Sequence, residues 1–196
     1  MENEKYKGLL VIISGPSGVG KGTICKEVVK EMDNIKLGIS VTTRAKSDKE
    51  VDGRDYWFVS KEEFERRITE GRMLEYAEVF DNMYGTDAQQ AEKALQQSQT
   101  IILEIDVQGA RQVKVKYPDA VMIFILPPSH GELTKRINHR GREDTETAEK
   151  RLSQADNEIA AAWQYYQHLV INAELEQAVN EVIQIIETKR ILEKKE

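Results

Sequence analysis

Apolar residues fall along this chain in two rhythms. Leu9-Leu10-Val11-Ile12-Ile13, Thr100-Ile101-Ile102-Leu103-Glu104-Ile105-Asp106 and Ala120-Val121-Met122-Ile123-Phe124-Ile125-Leu126 are nearly unbroken apolar runs. Such runs suit strands buried on both faces, as in a parallel sheet covered by helices. His168-Leu169-Val170-Ile171 is a shorter run of the same kind. Between these runs the apolar positions take helical spacing. One helix carries Ile24, Val28 and Val29; another runs from Ala88 to about Gln97 behind the cap Asp87; a third spans Gln108 to Lys116. Pro127-Pro128-Ser129 opens a helix to about His139, and a long one follows from about Thr147 to Gln164. The last helix places Leu175, Ala178, Val179, Val182, Ile183 and Ile186 on one stripe. Alternating strands and helices predict an α/β fold with three layers, α/β/α, around a parallel sheet.

The rhythm breaks between about 36 and 86. Ile35 to Val41 reads as one strand, and Thr42 to Gly53 is polar with a turn at Asp52-Gly53. Asp55-Tyr56-Trp57-Phe58-Val59 reads as an aromatic strand. Ser60 with Glu63 forms a capping box for a short helix to about Gly71. Leu74 to Phe80 and Met83 to Thr86 read as short strands or a turn. The expectation is a mixed α+β lobe at about 36–86, inserted in a single domain whose core is 8–35, 87–139 and 148–196. Arg140-Gly141-Arg142-Glu143-Asp144-Thr145 lacks apolar anchors and is expected to be mobile, as a short lid at about 140–147. The charged tail from Glu193 to Glu196 is expected to fray.

Composition narrows the classes. The chain has 196 residues, 40% hydrophobic and 32% charged, which excludes a disordered chain and allows one sizeable core. A net charge of −6 argues against a nucleic-acid or acidic-membrane partner. Cys25 stands alone, so no intramolecular disulfide forms, and a buried thiol is expected. The first eight residues lack the apolar segment of a signal peptide, and no run approaches membrane-spanning length. Cytoplasmic location is the expectation. His130, His139 and His168 show no metal-ligand spacing.

The sharpest chemical signal is Gly15-Pro16-Ser17-Gly18-Val19-Gly20-Lys21-Gly22-Thr23, set between a strand and a helix. That context is a phosphate-binding P-loop. Inward backbone N–H groups and the helix start hold phosphate oxygens, and Lys21 reaches the β- and γ-phosphates. Gly22 stands where a hydroxyl is usual, so Thr23 supplies the magnesium-binding hydroxyl or water replaces it. Phosphoryl transfer between two anions also needs arginines. Arg44, Arg140, Arg142 and Arg151 are candidates; spacing alone does not separate them from solvated surface arginines. An acceptor with a guanine base would be read by a carboxylate, which takes two hydrogen bonds from N1–H and N2–H, and by a hydroxyl donating to O6. Glu75, Ser40, Thr86 and Asp106 are available, although the pattern alone makes Glu75 a surface charge on an edge strand. Tyr56 and Tyr84 could point hydroxyls at an acceptor phosphate, with core or edge packing as the plainer reading. Trp57 and Phe58 read as packing residues. Trp163, Tyr165 and Tyr166 read as core first and as a subunit contact second.

In order and spacing, several stretches resemble the guanylate kinase family. They are the P-loop, Ser40-Val41-Thr42-Thr43-Arg44, Val51 to Ser60, Glu75-Tyr76-Ala77, Met83-Tyr84-Gly85-Thr86, Glu104 to Gly109, Pro127-Pro128-Ser129 and Lys150-Arg151-Leu152. The resemblance implies an ATP:GMP phosphotransferase of the nucleoside monophosphate kinase type, with Mg2+ accompanying ATP. It implies ATP phosphates on residues 15–23, with Lys21 stabilising the transferring group, and Asn172 near the adenine. It places Ser40, Glu75, Thr86 and Asp106 around guanine, and Arg44, Tyr56 and Tyr84 on the GMP phosphate. Glu104 stands where the family has an acid near the acceptor and magnesium. Arg140 and Arg151 would descend with the lid onto the ATP phosphates. One departure matters: a second phosphate-binding arginine, preceded by proline, is expected three positions after Arg44, where this chain has Lys46 and Ser47. Another is Ala173, where an acid often follows the asparagine. Two other readings stand beside this one. One is a non-catalytic protein-binding module on the same fold, opposed by the intact Lys21 and glycines. The other is a kinase for a different phosphorylated acceptor. Monomer and homodimer both remain open.

Overall fold

The computed structural model describes the backbone of residues 8–139 and 145–193, and the side chains of 8–136 and 152–192. Arg140, Arg142 and most of the expected lid lie outside the described residues, as do 194–196. Arg151 belongs to a described helix, but its side chain is outside the described set.

The predicted parallel sheet is present. Strands β1 (Leu9–Ser14), β2 (Ile35–Leu37), β7 (Thr100–Glu104), β8 (Val121–Leu126) and β9 (His168–Ile171) form one sheet in the order β2-β7-β1-β8-β9, and every pairing is parallel. Alternate residues of β1 serve two separate cores. Leu9, Val11 and Ile13 pack with Ile24 and Val28 of α1 (Lys21–Glu31) and with Ala178, Val182 and Ile186 of α7 (Leu175–Glu193). Leu10 and Ile12 face the other way, onto Ala91 and Ala94 of α3 (Ala88–Gln96), Ala110 and Val113 of α4 (Val107–Lys116) and Ala162 of α6 (Thr145–Tyr165). Burial on both faces is why β1 reads as an unbroken apolar run rather than an alternating one. Each fully buried Ile or Leu contributes about 1.5–3 kcal/mol. Helix α5 (His130–His139) packs through Leu133 against Leu152 and Ala155 of α6.

A second sheet is built from residues between 41 and 87. Its strands are β3 (Val41–Thr42), β4 (Trp57–Phe58), β5 (Met73–Val79) and β6 (Asn82–Asp87), in the order β4-β3-β6-β5. Helix α2 (Lys61–Thr69) closes it through Phe64, which packs on Val41 and Met73. Ser60 caps α2 by accepting from the Glu63 N–H, as the capping box predicts.

Three local expectations are corrected. The single strand expected from Ile35 to Val41 divides between two sheets, because Gln90 of α3 clamps the backbone between them. Its amide accepts from Ile39 N–H at 2.8 Å and donates to Ile39 C=O at 2.9 Å. The aromatic strand expected at 55–59 shrinks to Trp57–Phe58, since Tyr56 C=O is turned back to accept from Gly53 N–H. Trp57 is 45% exposed and Trp163 is 71% exposed, so neither packs in a core. Tyr165 is also exposed, with Arg111 over its ring, whereas Tyr166 does enter the core against Phe124.

Candidate functional site

The P-loop begins where β1 ends and closes into α1. Gly20 is the helix cap in the left-handed region, φ 100°, and a side chain there would strike the Asn172 amide nitrogen at 2.6 Å. Asn172, just after β9, is buried, and its side-chain amide donates to Val19 C=O at 2.8 Å. It supports the loop from beneath. Lys21 folds over the loop, and its ammonium donates to Gly15 C=O at 2.5 Å and to Pro16 C=O at 3.2 Å. Pro16 and Val19 are buried; Ser17 and Gly18 are half-buried on the open side of the loop. At Gly22 an added Cβ would lie 3.3 Å from a Glu104 carboxylate oxygen, so Glu104 at the end of β7 stands over the position usually held by a hydroxyl residue. Thr23 sits one helical step further round and is exposed. Cys25 is fully buried, and that burial pushes its thiol up, with Glu104 adding to the shift.

Across the carboxyl edge of the sheet lies a buried acid. Glu75 in β5 is directly opposite Thr86 in β6, and the Thr86 hydroxyl donates to its carboxylate at 2.7 Å. Glu75 is 3% exposed although β5 is an edge strand. Helix α4 covers that edge: the Gln112 amide pairs with both backbone groups of Tyr76, and the Lys116 ammonium reaches Leu74 C=O. The close approach requires Gly109, where a side chain would meet the Glu75 carboxylate at 2.1 Å. The surface-charge reading of Glu75 is therefore wrong. Burial, with the nearby Asp106 charge adding to it, raises the Glu75 carboxyl to about 7, against the Thr86 hydrogen bond, which favours the ionised form. Asp106 caps α4, with Oδ1 accepting from Gly109 N–H at 2.8 Å, while its Oδ2 is buried and has no hydrogen-bond partner. Burial also raises the Asp106 carboxyl. Ser40 precedes Val41, which pairs with Gly85, so the register continues toward Thr86.

The third group surrounds Arg44. Its guanidinium lies over Tyr56 and Phe58, 5.4 Å and 5.6 Å from the ring centres, and Tyr84 packs on Tyr56. The Tyr84 hydroxyl also lies beside the guanidinium. Burial and the nearby Glu104 charge push the Tyr56 phenol up to about 12, so it is a hydrogen-bond donor at neutral pH. The predicted residues thus assemble into three neighbouring groups: loop, buried acid and arginine with tyrosines. The sequence reading missed Glu50, which pairs with Arg44, and Gln90, the backbone clamp. It also missed Glu158 of α6, whose carboxyl is raised by burial and lowered by the charge of nearby Lys21. Glu50 carries no signal in sequence, being one acid among many in a charged loop. Glu75 does carry one: it has the same parity as Ala77 and Val79 along β5.

Among the described residues no set of three or more His, Cys, Asp or Glu is placed to hold a metal. No helix among them is long and apolar enough to cross a membrane.

The guanylate kinase family model matches residues 7–189. The guanylate kinase of Clostridioides difficile is 47% identical, over 94% of this chain and 89% of that protein. That of Carboxydothermus hydrogenoformans is 44% identical, over 97% and 93%. The crystal structure of guanylate kinase from Anaplasma phagocytophilum superposes with a TM-score of 0.81 at 32% identity, covering 95% of this chain and 88% of the other. A match that runs through both sheets and all three residue groups can be read in one way: the chain belongs to the guanylate kinase family.

Proposed function

We propose that this chain transfers the γ-phosphoryl group of MgATP to GMP, giving ADP and GDP. The observation that carries the reading is the buried Glu75–Thr86 pair beside Asp106, set across the sheet edge from a P-loop. A guanine edge offers N1–H and N2–H to the Glu75 carboxylate. Adenine would present a bare N1 lone pair there, and inosine lacks the second donor. A site whose buried polar groups go unmatched rejects the wrong base strongly. The unpartnered Asp106 Oδ2 suits a further base N–H.

In this reading the 36–86 lobe holds GMP, through Ser40, Glu75, Thr86 and Asp106 on the base and Arg44, Tyr56 and Tyr84 on the phosphate. The loop from Gly15 to Thr23 holds the ATP phosphates, and Lys21 exchanges its two carbonyl partners for phosphate oxygens. Asn172 keeps the loop in shape from below, close to where adenine would lie. Glu104, facing both Gly22 and Tyr56, sits between the two phosphate sites and would hold water around the magnesium, with Thr23 at the rim. Magnesium, when bound, neutralises charge on the β- and γ-phosphates. The assignments of Arg140 and Arg151 to the ATP phosphates, and of 140–147 to a lid, rest on the family resemblance. Transfer is direct and in line, with water excluded by closure of the lobe.

A coupled assay of ADP release, with MgATP and GMP, dGMP, AMP, IMP or UMP as acceptor, tests the reading. Turnover with GMP, with or without dGMP, supports it. A folded, ATP-binding protein that turns over none of them overturns it.

A further inference from the structure

Arg44 has five N–H donors, arranged as an end edge between the two Nη atoms and a side edge between Nε and Nη2. Glu50 occupies the end edge: Nη1 donates to Oε2 at 3.1 Å and Nη2 to Oε1 at 2.6 Å. The second Nη1 hydrogen goes to Ala45 C=O at 2.9 Å. The Glu50 carboxylate is itself held from behind, accepting from Ser47 N–H at 2.9 Å and from the Ser47 hydroxyl at 2.8 Å. The Lys46 ammonium donates to the Glu50 carbonyl at 3.2 Å. The guanidinium face is meanwhile fixed over Tyr56 and Phe58. Neither Glu50 nor Ala45 takes the side edge, and with the Tyr84 hydroxyl beside the guanidinium it forms a second planar fork able to take oxygens of one phosphate.

We propose that Glu50 is the positioning residue of the acceptor-phosphate site: gripped by Ser47, it holds Arg44 by the end edge and presents the side edge to the GMP phosphate. The inference rests on the GMP-kinase reading above and deepens it. Because Glu50 takes only one edge, a phosphate binds without displacing it. An arginine held in this way loses little side-chain freedom on binding, which is the gain of preorganisation. Ser47 stands where the family resemblance expects a second phosphate-binding arginine. Its hydroxyl and N–H both go to Glu50, so a direct phosphate contact has been exchanged for support of the remaining one. The Arg44 neighbourhood keeps Glu50 ionised: the guanidinium, and then the Ser47 donors, hold its carboxyl down at about 2. The arrangement therefore persists at all working pH values.

The test compares GMP with guanosine, which has the base but no phosphate, by calorimetry, alongside steady-state kinetics of the same proteins. Glu50→Gln is expected to weaken GMP binding about tenfold while guanosine binding stays unchanged. Its KM for GMP rises in step, while kcat and the KM for ATP stay within about twofold. Ser47→Ala moves GMP binding the same way by a smaller factor, and it tests the idea if Glu50→Gln folds poorly. Three outcomes overturn the proposal: unchanged GMP binding, tighter GMP binding (the carboxylate then competes with phosphate), or equal losses for GMP and guanosine (Glu50 then supports only the fold of the loop). A wild-type protein that does not phosphorylate GMP overturns the underlying reading instead, and is seen before any variant is made.

Discussion

In the proposed reading, the donor and acceptor ends of this site are built in opposite ways. Among the described residues, the proposed donor end centres on one contiguous stretch, residues 15–23, where glycine conformations shape the backbone and Lys21 folds over it. The proposed acceptor end would be assembled from side chains at 40–50, 56, 75, 84–86 and 104–106, drawn from both sheets and from the start of α4. Backbone donors at a helix start need no buried charge, since peptide dipoles supply the field. Reading a base does need buried polar side chains, and burial is costly until the ligand arrives. Glu75 carries that cost visibly, with its carboxyl raised to about 7. A donor site can thus be a local motif, whereas the selective acceptor site draws on most of the fold.

The largest effect should come from Lys21, which the proposed reading puts on the reacting phosphate. Lys21→Met is expected to lower kcat by about 10³-fold with every acceptor, leaving the preference for GMP intact. A changed ratio between GMP and dGMP or IMP would show that the two ends are not independent.

Glu75→Gln should do the reverse, lowering kcat/KM for GMP by about 10²-fold while ATP binding is kept. It also has a stability signature. The folded carboxyl holds its proton up to about 7, above the ordinary 4.5, so the ligand-free fold loses stability as pH rises through that window. At pH 8 the loss is full, up to about 3 kcal/mol, and glutamine does not incur it. The variant should therefore melt above the wild type at pH 8, and the two should converge near pH 5. In the wild type, kcat/KM for GMP should fall as pH drops below about 7, because a protonated Glu75 no longer accepts from both guanine donors. A variant less stable than the wild type at pH 8 would contradict the buried-charge account.

Asn172→Ala removes a buried donor from Val19 C=O and is expected to cost about 1–3 kcal/mol, read as a lower melting temperature. The KM for ATP should rise several-fold, with the KM for GMP unmoved. The smallest effect is at Lys46, an exposed cation bonded to the Glu50 carbonyl. Lys46→Ala should raise the KM for GMP only about two- to threefold, as expected of a screened surface charge. No change at all would remove Lys46 from the acceptor site.

Much of the parallel core was legible because its cause is local in sequence. Continuous apolar runs can only be satisfied by burial on both faces, and the helical stripes between them supply the cover. The Ser60–Glu63 capping box and the P-loop were legible for the same reason. The second sheet was read less well. Its strands β3 and β4 are two residues each, too short for any period to register, and they exist because backbone partners such as Ser40 and Thr42 accept from Trp57 and Val59. Trp57 and Trp163 were misread since an aromatic side chain does not announce which way its face of the element will point.

The order of elements, the phosphate loop and the inventory of acids, arginines and tyrosines were all present in the linear chain, because each depends on neighbours a few residues away. The burial of Glu75 beneath α4, the spare oxygen of Asp106 and the grip of Glu50 on Arg44 were not. They depend on which surfaces meet after the chain has folded: α4 covering an edge strand, Gly109 permitting the contact, and a loop returning on itself. A carboxylate's chemistry follows from the dielectric and the partners around it, and those are properties of the assembled structure rather than of the residue type.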